Sequence, residues 1–136
     1  MVNMSAAYQG RLRCRLTHGP SGSEIETDAP KDNMGEGSRF SPTDLVGAAL
    51  ASCVLTTMAI VAQRDGVSLD GARAEVSKEM VSSPTRRIGA LPVKVTLPAK
   101  IPADYRVKLE NAARTCPVHK SLHPDVKAEI TFAYDA

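Results

Sequence analysis

Aromatic side chains are scarce in this 136-residue sequence, which has no tryptophan and only Tyr8, Phe40, Tyr105, Phe132 and Tyr134. The hydrophobic share is nonetheless 43%, so the core is expected to consist of Ala, Val, Leu and Ile. Side chains this small let helices approach one another closely. A strong charge of one sign is also missing. Seventeen Lys and Arg stand against fifteen Asp and Glu, for a net charge of +2. The two signs are interspersed, which gives no basic block for a polyanion. An even set of cysteines is lacking as well: there are three, Cys14, Cys53 and Cys116, whereas small secreted domains carry paired frameworks. Met1–Gly10 has no apolar segment of the kind that directs export. These absences point to the cytoplasm, where thiols stay reduced and a disulfide is transient and catalytic. The length fits one domain, residues 1–136.

The pattern along the chain predicts the elements. Arg11–Thr17 alternates, with Leu12, Cys14 and Leu16 on one face and Arg11, Arg13 and Arg15 on a solvated face, as in a half-buried strand. His18-Gly19-Pro20-Ser21-Gly22 supplies turn chemistry, and Ser23–Thr27 closes a hairpin. A polar loop spans Asp28–Phe40. Ser41-Pro42-Thr43-Asp44 then opens a helix, with Ser41 as N-cap, Pro42 at the first helical position and Asp44 completing a capping box. From Leu45 to Ala62 no residue is charged, and Gly66 lies just beyond the helix end. Such a helix is expected to be buried on most sides. Its length would also suit a membrane span. Gly47, Ser52, Cys53, Thr56 and Thr57 dilute its hydropathy and no aromatic belt flanks it, so a core helix and no membrane association are expected.

Two strands are predicted next, Ala72–Val81 and Ile88–Leu97, with Pro92 demoting the start of the second to an edge or bulge. Pro102–Thr115 has helical spacing, a short helical piece follows Cys116-Pro117, and Val126–Tyr134 alternates as a final strand. The order β-β-α-β-β-α-β makes an α+β domain.

Chemistry rests on the cysteines. Cys53 sits in mid-helix within an otherwise inert run. Cys116 precedes Pro117, is biased out of helical geometry, and is placed to cap the next turn, where amides and the helix dipole favour a thiolate. Taken alone each thiol can equally be a packed core residue, since free cysteine is often buried. Cys14, on the inward face of the first strand, is read as packed. His18, His119 and His123 have no ligand spacing with the cysteines, so no metal is expected.

The surrounding motifs are more specific. Ser41-Pro42-Thr43-Asp44-Leu45 followed by Gly47-Ala48-Ala49-Leu50-Ala51-Ser52-Cys53 resembles the Asn-Pro-Glu-Glu-Leu helix start, with its Ala-rich approach to cysteine, of OsmC/Ohr proteins. Thr115-Cys116-Pro117-Val118-His119-Lys120-Ser121-Leu122 is similar to that family's second cysteine motif. The separation of 63 positions also fits, and the resemblance covers nearly the whole chain.

The resemblance implies an OsmC-like fold with a buried central helix and an intertwined homodimer. It implies a thiol peroxidase in which Cys53 reduces an organic hydroperoxide and becomes a sulfenic acid, which Cys116 condenses into a disulfide. The substrate would be small and hydrophobic. An external dithiol, in well-studied members a lipoyl group on a protein, would restore the thiols, and no bound cofactor is needed. A cation should assist Cys53. Arg39 in the loop before the helix is the candidate, with Asp44 and Glu36 as candidate acids because Thr43 occupies the usual glutamate position. The alternative is an OsmC-fold binding or redox-sensing dimer without turnover. Nucleic acid is not an expected partner, because Arg11, Arg13, Arg15, Arg86 and Arg87 lack interleaved aromatics.

Overall fold

Residues Met4–Gly10, Arg13–His18 and Glu24–Asp28 form strands β1, β2 and β3, paired antiparallel in the order β1-β2-β3. The turn anticipated at His18–Gly22 joins β2 to β3, with the His18 amide donating to Ser23 at 2.8 Å and the Gly22 amide to His18 at 2.8 Å. The other hairpin departs from the sequence reading. Gly10 pairs with Arg13, so Arg11 and Leu12 form a two-residue loop outside the strand. Both have positive φ, 57° and 62°, as a type I′ loop requires. The left-handed region costs a residue with a side chain about 1–2 kcal/mol, and neither is the Asn or Gly that usually announces this loop.

The computed structural model describes all 136 residues and divides after Val46 into two compact units. The first holds the three-stranded sheet and the loop to Phe40, which includes a short 3-10 turn at Lys31–Asn33. The loop is folded tightly on itself. The Gly35 amide donates to Pro30 at 2.9 Å and the Gly37 amide to Ala29 at 3.1 Å. A Cβ at Gly35 would collide with the Ala29 carbonyl oxygen, so only glycine fits there.

Helix α1 spans Pro42–Arg64. Its start matches the expected capping box: the Asp44 amide donates to Ser41 Oγ at 3.0 Å, and the Ser41 amide donates to Asp44 Oδ2 at 2.9 Å. Gly47, Leu50, Val54, Met58 and Ala62 are buried along one stripe. Ala49, Ser52, Thr56, Ala59 and Ile60 are exposed. Within one chain, therefore, the central helix is covered along a stripe and not on most sides. By length and composition α1 could also cross a membrane, and its hydropathy is less diluted by the small polar residues than the sequence reading held.

The second unit carries the sheet β4-β7-β8, built from Arg73–Val76, Val93–Leu97 and Ile130–Tyr134, and the ribbon β5-β6, built from Glu79–Val81 and Arg87–Ala90. Each expected middle strand is thus two. The second breaks at Leu91-Pro92, where proline cannot donate to a ladder. Pairing of β7 with β8 is parallel, and the crossover between them carries α2 (Arg106–Ala113) and α3 (Pro117–Ser121). The observed order is β-β-β-α-β-β-β-β-α-α-β, still a mixed α+β fold. The core of this unit joins Leu50, Val54 and Met58 to Leu91, Val93, Val95, Leu97, Ile101 and Leu109, all at most 2% exposed. Burying a side chain of this size is worth about 1.5–3 kcal/mol.

Candidate active site: a thiol pair

Two elements bring the thiols together. Cys53 lies one helical turn beyond Ala49 on α1 and is half-buried. Cys116 follows α2, is fully buried, and is the N-cap of α3 with Pro117 at the first helical position. Its extended backbone, φ −50° and ψ 126°, is what a residue before proline prefers. The His119 amide donates to Cys116 Sγ at 3.5 Å. His119 Nε2 donates to the Ala128 carbonyl at 3.1 Å, tying α3 to the segment that leads into β8.

The two thiols influence each other's ionisation, and their environments push their pKa values apart. Burial raises the Cys53 pKa, but the neighbouring Cys116 thiol, Val118 backbone and Thr57 hydroxyl favour its charged form and together leave it below its ordinary value. Burial raises Cys116, and donation to Cys53 together with the neighbouring negative charge raises it further; the His119 and Val118 amides oppose this without prevailing. Cys53 is therefore set up as the thiolate, and Cys116 as the thiol that keeps its proton. Opposed shifts in a touching pair define nucleophile and acid.

The first unit contains a second cluster. Glu36 accepts from Arg11 Nη2 at 2.6 Å through Oε1 and from Arg13 Nη2 at 2.8 Å through Oε2. Arg13 Nη2 also donates to Ser38 Oγ at 3.2 Å. Ser38 in turn donates to Asp28 Oδ2 through its hydroxyl at 2.6 Å and its amide at 3.0 Å. Arg13 Nε stands 3.6 Å from the same oxygen. Asp28 is fully buried, and the two Ser38 donors, assisted by Arg13 and the Ala29 amide, hold its pKa down against desolvation. Arg13 Nε and Asp28 Oδ1 have no hydrogen-bond partner.

Of the expected residues, Cys53 and Cys116 meet. Glu36 is the hub of the arginine cluster. Arg39 instead pairs with Glu26, Nε to Oε2 at 3.7 Å, and donates to the Ser38 carbonyl at 3.0 Å. Asp44 closes the capping box. The sequence reading set the arginines on a solvated strand face and Asp28 in a polar loop; Arg11 is exposed, whereas Arg13 is half-buried beside Asp28, which ends β3 and is fully buried. The available signal was Gly10, which precedes Arg11 and marks a turn.

No functionally curated protein matches the chain. The family model for OsmC-like protein matches residues 35–131. Among solved structures, a Psychrobacter arcticus protein provisionally described as an osmotic stress induced and detoxification response protein is 40% identical. That match covers 97% of this chain and 96% of the other, with a TM-score of 0.90. The organic hydroperoxide resistance protein OsmC of Legionella pneumophila superposes with a TM-score of 0.79 at 16% identity, covering 98% and 96%. OhrB of Bacillus subtilis, an organic hydroperoxide resistance protein, superposes with a TM-score of 0.69 at 20% identity, covering 97% of each chain. The two cysteine motifs, the mixed α+β fold and the matched length agree, and the chain belongs to the OsmC/Ohr family.

Proposed function

We propose that this protein is a thiol peroxidase that reduces organic hydroperoxides, with Cys53 as the peroxidatic residue and Cys116 as the resolving one. The observation that carries this reading is the pair of interacting thiols, with Thr57 beside Cys53 and the His119 amide on Cys116, whose pKa values move in opposite directions. Two merely packed cysteines would have no need of donors converging on one of them. The Cys53 thiolate attacks the terminal oxygen of the hydroperoxide. The O–O bond breaks, and the alkoxide leaves as an alcohol after taking a proton. Cys53 is then a sulfenic acid, and Cys116 condenses with it to give a disulfide and water. An external dithiol supplies the two electrons and two protons that restore the pair. A lipoyl-bearing protein suits that role.

The reaction also needs a cation to polarise the O–O bond. Within the family the assembly is a homodimer, and the exposed face of α1 supports one here, since a second chain would cover it. The apolar helix around Cys53 favours a small hydrophobic substrate, and the reducing cytoplasm suits a dithiol-recycled enzyme.

Steady-state reduction of cumene hydroperoxide with dihydrolipoamide tests the proposal. Turnover is expected in the wild type and absent in Cys53→Ser. A wild-type protein that consumes no peroxide would instead be a non-enzymatic OsmC-fold dimer.

A further inference from the structure

Thr57 lies one helical turn beyond Cys53 on α1, and its Oγ1 is 3.9 Å from Cys53 Sγ. A threonine inside a helix ordinarily turns its hydroxyl back to the carbonyl four residues earlier. Ser121 does so in α3, donating to Pro117 at 2.8 Å. Thr57 does not. Its one side-chain contact is with the Cys53 sulfur, where either atom can be the donor while Cys53 is a thiol. Packing does not require a hydroxyl at this half-buried position, in a run where apolar residues predominate and threonine has only modest helix propensity.

The other groups that favour the Cys53 thiolate are the Val118 backbone and the Cys116 thiol. Cys116 must give up its proton when the disulfide forms. Thr57 is thus the one side-chain donor to Cys53 that the cycle does not consume. A thiolate attracts a hydroxyl donor more strongly than a thiol does, so the contact should tighten once Cys53 is ionised.

From this geometry we infer that Thr57 is a catalytic residue of the peroxide reduction, its hydroxyl donating to the Cys53 thiolate and then to the oxygen that Cys53 takes up. The inference rests on the peroxidatic reading of Cys53. The hydroxyl keeps its own proton throughout, so the balance of the reaction is unchanged. Its effect is electrostatic, lowering the energy of the anion that attacks.

The test is the pH dependence of Cys53 alkylation by iodoacetamide, resolved by peptide mass spectrometry, in the wild type and in Thr57→Val, Thr57→Ala and Thr57→Ser. Thr57→Val keeps the shape and removes the donor. Its alkylation midpoint should rise by about one pH unit, as expected for losing a hydrogen bond to a charged group. Thr57→Ala should show the same rise, which separates loss of the donor from a packing change at valine. Thr57→Ser should stay at the wild-type midpoint. With cumene hydroperoxide, sulfenic acid formation should slow by about tenfold in the valine and alanine variants. An unmoved midpoint in both, or an equal rise in Thr57→Ser, would overturn the role of Thr57. Absence of peroxide consumption by the wild type would instead sink the peroxidatic reading, while the alkylation midpoints would still report on the contact.

Discussion

At the scale of single residues, the chemistry is set by where protons sit. Cys53 is held below the ordinary thiol range and Cys116 above it. Alkylation should therefore begin at Cys53 at a lower pH than at Cys116, with free cysteine near pH 8.5 as the reference. Site-resolved labelling from pH 6 to pH 10 checks this, and equal profiles would contradict it. Asp28 provides a second test. Its pKa is depressed in the folded protein, chiefly by the two Ser38 donors. The stability it contributes is present above the usual aspartate range and is lost as pH falls through the depressed value. Asp28→Asn should therefore be less stable than the wild type at pH 7. In urea unfolding the gap should narrow as the pH is lowered through the acid range. These residues were unequally legible in the sequence. Both cysteines stood in motifs, whereas a buried Asp28 inside a polar loop carried no local signal. Burial is a property of the fold and is not visible in neighbouring residues.

Elements obeyed local rules wherever those rules act within a few residues. The Ser41–Asp44 capping box was readable because its partners are three positions apart. Ser41→Ala should cost about 0.5–2 kcal/mol, as measured by chemical denaturation. The hairpin turn at His18–Gly22 was readable for the same reason. The Arg11-Leu12 loop was not, because its left-handed backbone is imposed on residues with no preference for it. Alternation there imitated a strand and extended it over Arg11 and Leu12, while Arg13 and Arg15 do alternate within β2. The parallel pairing of β7 with β8 was equally hidden, since strand partners across a two-helix crossover leave no trace in spacing. Gly35 is a strict requirement of the loop before α1. Gly35→Ala should displace the 29–37 turn and, with it, Glu36. Loss of the Glu36 pairing would then appear as a lower midpoint in urea unfolding with little change in helix content by circular dichroism.

The whole molecule is only half explained by one chain. One stripe of α1 belongs to the second unit's core, so Leu50→Ala should cost about 2–5 kcal/mol. The opposite face, with Ala49, Ala59 and Ile60, is exposed and fits a second copy of the chain. Ile60→Glu should shift the protein toward monomer in sedimentation while leaving its secondary structure intact. A wild type that is itself monomeric would contradict the proposed dimer.

The central claim is that Cys53 and Cys116 act as one redox pair, and a thiol count on the pure reduced protein tests it most directly. Free thiols are titrated before and after cumene hydroperoxide, alongside Cys53→Ser and Cys116→Ser. The account predicts that two thiols per chain are lost, that dithiothreitol restores them, that Cys53→Ser prevents the loss, and that Cys116→Ser stops at a trapped sulfenic acid on Cys53. Survival of the thiols in excess hydroperoxide would contradict it.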